Sequence, residues 1–264
     1  INKFMKKKIN IAIVGLGQIG SYLLNELNNK KKDIETKTGK KISIEAISAK
    51  NINKKRKFKI NKKIFFKNSL NIFKYKKIDI LFEVVGKSDG ISKKIVETAL
   101  KKKIHVITPN KALISKHGDF LAKLAEKNKV NLEFEGSVAG GIPILRTLKD
   151  GLATNKFKKI VGILNGTCNY ILTEMENSND SFFNVLKKAQ KLGYAEPSNP
   201  KLDLNGYDAL AKVRILSSLA FNKKISKNSC LMEGIENIEL KDIKIAKQLN
   251  LRIKLLGITE LLNN

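Results

Sequence analysis

INIAIVGLGQIGSYLLNEL, residues 9–27, is the stretch whose reading decides the fold. Its first six residues form a short, almost wholly apolar run. Gly15-Leu16-Gly17-Gln18-Ile19-Gly20 follows, and SYLLNEL then shows helical spacing. Strand, G-x-G-x-x-G and helix, in that order, make a dinucleotide-binding fingerprint. The three glycines serve different physical ends. Gly15 allows the tight turn, Gly17 lets the backbone approach a pyrophosphate, and Gly20 lets helix and strand pack closely. The unpaired N–H groups at the helix start, from Gln18 and Ile19 onward, and the positive dipole end then hold the phosphates. The competing reading is a chance Gly-rich loop, and the position directly after an N-terminal strand argues against it.

Periodicity extends the pattern outward. Residues 42–47 (ISIEAI), 78–85 (IDILFEVV) and 104–108 (IHVIT) read as strands, with helices over 92–102 and 112–128. Strands alternating with helices imply a doubly wound parallel sheet with ligands at the strands' C-terminal ends. This Rossmann-type dinucleotide-binding domain is expected over residues 1–130. Beyond it, 130–138, 158–164 and 252–261 read as strands, and 181–191, 208–220 and 242–250 as helices. That mix predicts an α+β substrate domain over 131–264, so the fold class is α/β followed by α+β.

Composition excludes several classes. The chain of 264 residues is 42% hydrophobic, enough for real cores. No apolar run approaches the ~20 residues of a membrane span. Met5-Lys6-Lys7-Lys8 imitates the basic start of a signal peptide, but GLGQIG interrupts the apolar stretch and no small-residue cleavage site follows. Cys168 and Cys230 have no metal-type spacing and are too few for a disulfide framework. A reducing cytoplasm is the expected location, with no membrane partner. The 52 basic against 24 acidic residues give +28, which raises the question of nucleic acid. Only Arg56, Arg146, Arg214 and Arg252 among them are arginines, the residue that phosphate and base recognition recruits for its bidentate fork. The lysines are scattered through a chain also rich in Asn and Ile, which reads as coding bias on solvated faces. No nucleic-acid partner is expected.

The second strand bears on cofactor choice. NAD-linked domains commonly place Asp or Glu at its end to hold the ribose 2′-hydroxyl. Here Ser48-Ala49-Lys50-Asn51 follows, with no carboxylate until Asp79. Lys50, Lys54, Lys55 and Arg56 are placed to face a 2′-phosphate instead, so NADP(H) is expected in preference to NAD(H).

The other informative run is LGYAEPSNPKLDLNGYDALAK, residues 192–212. It gathers Glu196, Asp203, Asp208 and Lys212 in a segment broken by Gly193, Pro197, Pro200 and Gly206. The breakers force a loop. From about Tyr207 the pattern is helical, which puts Asp208 and Lys212 on one face. As an ordinary surface pair they would contribute about 0.3–0.5 kcal/mol.

GLGQIG at 15–20, ITPNKALIS at 107–115, FEGSVAGGIPI at 134–144, GILNGTCNYIL at 162–172 and the run at 192–212 occur together and in order. With them the chain resembles the homoserine dehydrogenases, over most of its length. The resemblance implies reversible NAD(P)H-dependent reduction of L-aspartate 4-semialdehyde to L-homoserine, on the route to threonine and methionine, by a homodimer. It implies that Lys212 is the proton donor, with Asp208 beside it as a residue that also binds substrate. Lys111 matches a lysine on the nicotinamide side of the pocket. Glu196, facing the substrate ammonium group, Asp203 and Thr167 are the implied substrate contacts, and Gly193 lies beside the cofactor. Cys168 and Asn169 are supporting residues. Glu135, Val138, Gly140 and Ile142 fall in a loop that holds a monovalent cation, Na⁺, chiefly through backbone carbonyls. His105 and His117 have no carboxylate or cysteine at useful spacing and are assigned no chemistry.

Two departures stand out. Lys87 follows Gly86 where the family usually has a second Gly, and Gly90 stands where Pro is usual. Family catalytic regions also continue past Asn264, so the chain reads as C-terminally truncated relative to them. Another NAD(P)-linked amino-acid dehydrogenase, an inactive fragment and a non-enzymatic basic binding protein are the alternatives.

Overall fold

The computed structural model describes residues 8–53, 56, 60–196 and 199–262. Lys54, Lys55 and Lys57 of the basic cluster, Pro197, and Met5 to Lys7 lie outside the described residues. The chain divides into two units, one up to Gly141 and one from Ile142 onward.

In the first unit β1 (Lys8–Val14) leads into α1 (Gln18–Asn29) and α2 (Lys31–Thr38). Then come β2 (Lys41–Ser48), β3 (Phe65–Phe66), α3 (Ile72–Tyr75), β4 (Ile80–Glu83) and α4 (Ile91–Lys101). β5 (His105–Ile107), α5 (Lys111–Lys127) and β6 (Leu132–Glu133) complete it. The six strands form one parallel sheet in the order β3-β2-β1-β4-β5-β6. This is the doubly wound nucleotide-binding topology, with its crevice outside the C-terminal ends of β1 and β4, where the strand order reverses. β1 is central because both its faces are apolar: Ala12 and Ile13 are fully buried. The helix over Ile91–Lys101 buries Ile95, Val96, Ala99 and Leu100, four residues at helical spacing.

One expectation is overturned here. Residues 130–138 were expected to be a strand opening the second domain, yet only Leu132–Glu133 forms a strand, and it pairs with β5 in the first sheet. Glu135–Ser137 then turns as a 3-10 helix, and Ala139 and Gly141 adopt positive φ of 47° and 92°. Such angles end a strand.

The second unit contains α6 (Ile144–Arg146), β7 (Lys159–Gly162), α7 (Gly166–Ser178), α8 (Phe182–Lys191) and α9 (Lys201–Leu204). α10 (Tyr207–Phe221), α11 (Leu240–Gln248) and β8 (Gly257–Glu260) follow. β7 and β8 pair antiparallel. The core joins Ile171, Leu172 and Met175 of α7 to Val185 and Ala189 of α8, with Leu204 and Ile243. Helix α10 lies close on β8: a Cβ at Gly257 would stand 2.5 Å from Leu164 Cδ1 and 2.6 Å from Val213 Cγ2. Ser217 also donates to Thr259 across that contact, at 2.7 Å. Among the described residues no helix is long and apolar enough to cross a membrane.

The closest approach in the first unit sets a test. A Cβ at Gly20 would lie 1.9 Å from the carbonyl oxygen of Gly15 and 2.9 Å from Val84 Cγ2. Gly20→Ala must therefore push α1 off β1, at a cost of roughly 1–3 kcal/mol. Thermal unfolding should show a Tm several degrees lower, and an unchanged Tm would refute this packing.

Candidate active site

The glycine turn after β1 meets the physical demands of a phosphate site. Gly15 has φ of 104°, and a Cβ there would stand 2.5 Å from the Val84 carbonyl oxygen. Its N–H donates to the Ser48 carbonyl at 2.8 Å, which joins the ends of β1 and β2. A Cβ at Gly17, by contrast, would meet no other group within 4 Å, so the backbone there stands open. Gly17 is the N-cap of α1 and supplies no side-chain acceptor. The first-turn N–H groups of Gln18, Ile19 and Gly20 are therefore left without a capping side chain, and with the helix dipole they suit an anion. A pyrophosphate-bearing cofactor fits these residues.

Arg56 sits beside this turn. Its Nε donates to the Leu16 carbonyl at 3.3 Å, and its Nη1 and Nη2 to the Ile52 and Asn51 carbonyls at 3.1 and 2.9 Å. The guanidinium thus ties the loop after β2 to the glycine turn. Lys50 is exposed at the end of β2.

The next edge of the sheet holds a network that the sequence reading missed. Glu83, the last residue of β4, is fully buried. It accepts from the Thr108 hydroxyl at 2.7 Å, the Asn110 amide at 3.2 Å and the Val85 N–H at 3.0 Å. Asn110 also donates to the Lys87 carbonyl at 2.8 Å, while its Oδ1 accepts from Leu113 N at 3.1 Å and caps α5. Lys111 is therefore the first residue of a capped helix, at the C-terminal edge of the sheet. A carboxylate closing the apolar strand ILFE was the available signal.

The two departures in this region have local accounts. Lys87 contributes its carbonyl to Asn110. Gly90 precedes α4 at φ 68°, ψ −125°, an angle proline cannot adopt.

His117 needs a correction. Its Nε2 lies 2.9 Å from Asp89 Oδ1, so it does have a carboxylate partner. Asp89 also accepts from Lys116 and Ser88, and these bonds, Lys116's first, hold its carboxyl well below the usual range. His105 Nδ1 accepts from Asn131 N at 3.0 Å, a bond between neighbouring strands.

In the second unit Asp203, Asp208 and Lys212, from the run at 192–212, gather in a polar cluster. Lys212 Nζ lies 2.8 Å from Asp208 Oδ2, one turn earlier on α10, with side chains 17% and 6% exposed. The same ammonium donates to the Leu164 carbonyl at 2.5 Å. Asn165, the N-cap of α7, uses Oδ1 to accept from Cys168 N at 2.8 Å. Its Nδ2 donates to Asp203 Oδ1 at 2.8 Å and to Asp208 Oδ2 at 3.0 Å. Asn165 was not singled out in the sequence, although an Asn before a helical run is a capping signal. Asn169 donates to the Asn165 and Leu255 carbonyls and accepts from Leu255 N at 3.0 Å, fastening the strand side to α7.

Thr167 directs its hydroxyl to the Tyr194 carbonyl at 2.7 Å, and Tyr194 stacks on Tyr170 with ring centroids 4.3 Å apart. Gly193 ends α8 with φ of 80°. Glu196 is exposed, and its carbonyl accepts from Gln190. The structure thus brings Asp203, Asp208 and Lys212 together around Asn165.

Of the cation-loop positions, Glu135, Val138 and Gly140 belong to the first unit and Ile142 to the second. Ser137, between them, has a buried hydroxyl without a hydrogen-bond partner among the described residues. Among those residues no group of His, Cys, Asp or Glu is arranged to hold a metal ion.

The first unit is thus a glycine-turn nucleotide domain, and the second carries a lysine–carboxylate cluster. Residues 15–135 match the family model for the homoserine dehydrogenase NAD binding domain, and residues 143–263 match that for homoserine dehydrogenase. A homoserine dehydrogenase of Neisseria gonorrhoeae is 40% identical over 253 residues, covering 96% of this chain and 58% of that protein. A crystal structure of the Staphylococcus aureus enzyme superposes with a TM-score of 0.86 at 39% identity, over 97% of this chain and 64% of that one. One from Thiobacillus denitrificans reaches 0.89 at 34% identity, over 98% and 59%. The chain belongs to the homoserine dehydrogenase family. It spans 58% of the length of the Neisseria gonorrhoeae and Bacillus subtilis relatives.

Burial makes a separate expectation. Cys168 is fully buried and donates to the Asp203 carbonyl at 3.1 Å. Its thiol is pushed up to about 12, first by burial and then by the charges of Asp203, Asp208 and Glu236. It should stay inert to a thiol reagent at about pH 8, where only thiolate reacts. Cys230 should label first, with Cys168 following only in denaturant. Labelling of both in the folded protein would contradict this burial.

Proposed function

We propose that the protein interconverts L-aspartate 4-semialdehyde and L-homoserine with a nicotinamide cofactor, within threonine and methionine biosynthesis. The observation that carries the reading is the Lys212 ammonium, held 2.8 Å from Asp208 and only partly exposed. Reduction of an aldehyde needs a hydride at carbon and a proton at oxygen. Hydride donation is the chemistry that a reduced nicotinamide brings when bound. Lys212 supplies the proton. An ammonium has three N–H donors; two are directed at Asp208 and Leu164, and the third is left for the aldehyde oxygen. That donor also stabilises the negative charge growing on the oxygen. Glu196 and Asp203 supply carboxylates for the substrate ammonium, Thr167 and Gly193 complete the substrate and cofactor contacts, and Lys111 lies on the nicotinamide side. Cofactor binding falls to the first unit and substrate binding to the second.

NADP(H) is the preferred cofactor in this reading. No acidic side chain follows β2 at residues 49–53, and Lys50 and Arg56 stand there instead. A monovalent cation, Na⁺, would be held by the backbone carbonyls of Glu135, Val138, Gly140 and Ile142. The oxygen donors of that loop and the orphaned Ser137 hydroxyl suit a hard ion. A homodimer is supported by the apolar side chains that the β7–β8 ribbon leaves exposed, Val161 and Ile258 among them. A cytoplasmic location goes with this biosynthetic role.

Lys212→Met should lower kcat by about 10²–10⁴, roughly 3–5 kcal/mol of barrier, with NADPH binding retained. If Lys111→Met abolishes turnover while Lys212→Met only raises KM, the two lysines exchange roles. In kcat/KM, NADPH should be preferred by at least severalfold, and Lys50→Ala should narrow the preference. Arg56→Ala should also weaken both cofactors, because it releases Leu16. Preference for NADH would refute the charge argument.

A further inference from the structure

We infer that Asn165 is a positioning residue for the proton-donating lysine: one buried amide bridges Asp203 and Asp208 and so fixes the carboxylate that aims Lys212. The inference rests on the proposed function for the identity of the proton donor, and on geometry for the rest. Asn165 is 3% exposed. Both hydrogens of its amide are directed at carboxylate oxygens, at 2.8 and 3.0 Å, and its oxygen accepts from Cys168 N at 2.8 Å. Every hydrogen-bonding direction open to an amide nitrogen is thus used.

Capping alone does not require this residue. An N-cap needs only a side-chain oxygen, and Ser, Asp and Asn serve nearly equally. What Asn adds is the NH₂ group, and it points at two acids. Asp208 Oδ2 accepts both from this amide and from Lys212. Its position is therefore fixed from α7 on one side and from within α10 on the other. Lys212 is in turn fixed by Asp208 and by the carbonyl of Leu164, the residue before Asn165. The acid, its anchor and the bridging amide form one closed set of bonds across α7, α9 and α10.

The titratable groups around this set are Asp203 from α9, Asp208 and Lys212 from α10, and the Cys168 thiol from α7, whose surroundings also include the charge of Glu236 from the segment before α11. Two carboxylates share one neutral donor and one cation. Asn165→Asp would keep the cap and the shape but set a third carboxylate against the other two. Repulsion then favours proton uptake by the cluster. Asn165→Ser would keep a cap and remove the bridge without adding charge.

The experiment measures both variants in the protein: thermal unfolding, NADPH affinity by fluorescence quenching, kcat and KM for aspartate 4-semialdehyde, and the pH profile of kcat/KM. Both should unfold within a few degrees of wild type and keep their NADPH Kd. Both should lose about 10–100-fold in kcat, the scale of an ångström of misplacement. In Asn165→Asp the acid limb of the profile should also move up by about one pH unit, as a new like-charge neighbour requires. Unchanged kcat and profile in both variants would leave Asn165 as a cap only and overturn the inference. Failure of both to fold would overturn it as well, assigning the amide to stability. A wild type that binds NADPH but leaves aspartate 4-semialdehyde unreduced would instead sink the proposed function.

Discussion

A buried carboxylate must find donors inside the protein, because an isolated one costs far more than folding can spare. Each unit carries such a group at the place assigned to chemistry. Glu83 closes β4 with three donors, from Thr108, Asn110 and Val85. Asp208 starts α10 with donors from Asn165 and Lys212. Around each, an asparagine does two jobs, capping a helix with its oxygen and serving a carboxylate with its nitrogen. The starts of α5 and α7 are thereby locked to a neighbouring element. Lys111 and Thr167, in the first turns of those helices, inherit those positions.

The same logic separates residues that act from those that hold. Asp208 is only 6% exposed and is bonded to Asn165 and Lys212, so it holds its neighbours in place. Arg56 bonds three backbone carbonyls, so its charge beside the glycine turn comes with a structural duty. Exposed pairs such as Lys8–Glu45 and Lys159–Glu260 belong to another category, each worth about 0–1 kcal/mol.

What was legible in the sequence was local. The turn at 15–20 follows from glycine sterics and strand–helix order, and the pairing of Asp208 with Lys212 follows from helical spacing. The boundaries of α4, α5, α8 and α10 follow from apolar period. What escaped depends on partners far along the chain. Asn165 meets Asp203 and Asp208 across 38 and 43 residues, and Glu83 meets Thr108 across 25. His117 meets Asp89 across 28. β3, with two residues, is too short for any period to register. Residues 130–138 misled because FEGSV alternates like a strand, while positive φ at Ala139 and Gly141 turns the chain away.

The central claim is the proposed reaction, a hydride to carbon and a proton from Lys212 to oxygen of a four-carbon amino aldehyde. Isotope tracing tests it most directly. The protein is incubated with aspartate 4-semialdehyde and NADPH carrying deuterium at the transferable C4 position, and the product is analysed by mass spectrometry. The account predicts homoserine with one deuterium on C4, the former aldehyde carbon. Consumption of the labelled cofactor without deuterated homoserine, or no reaction with the cofactor bound, would contradict it.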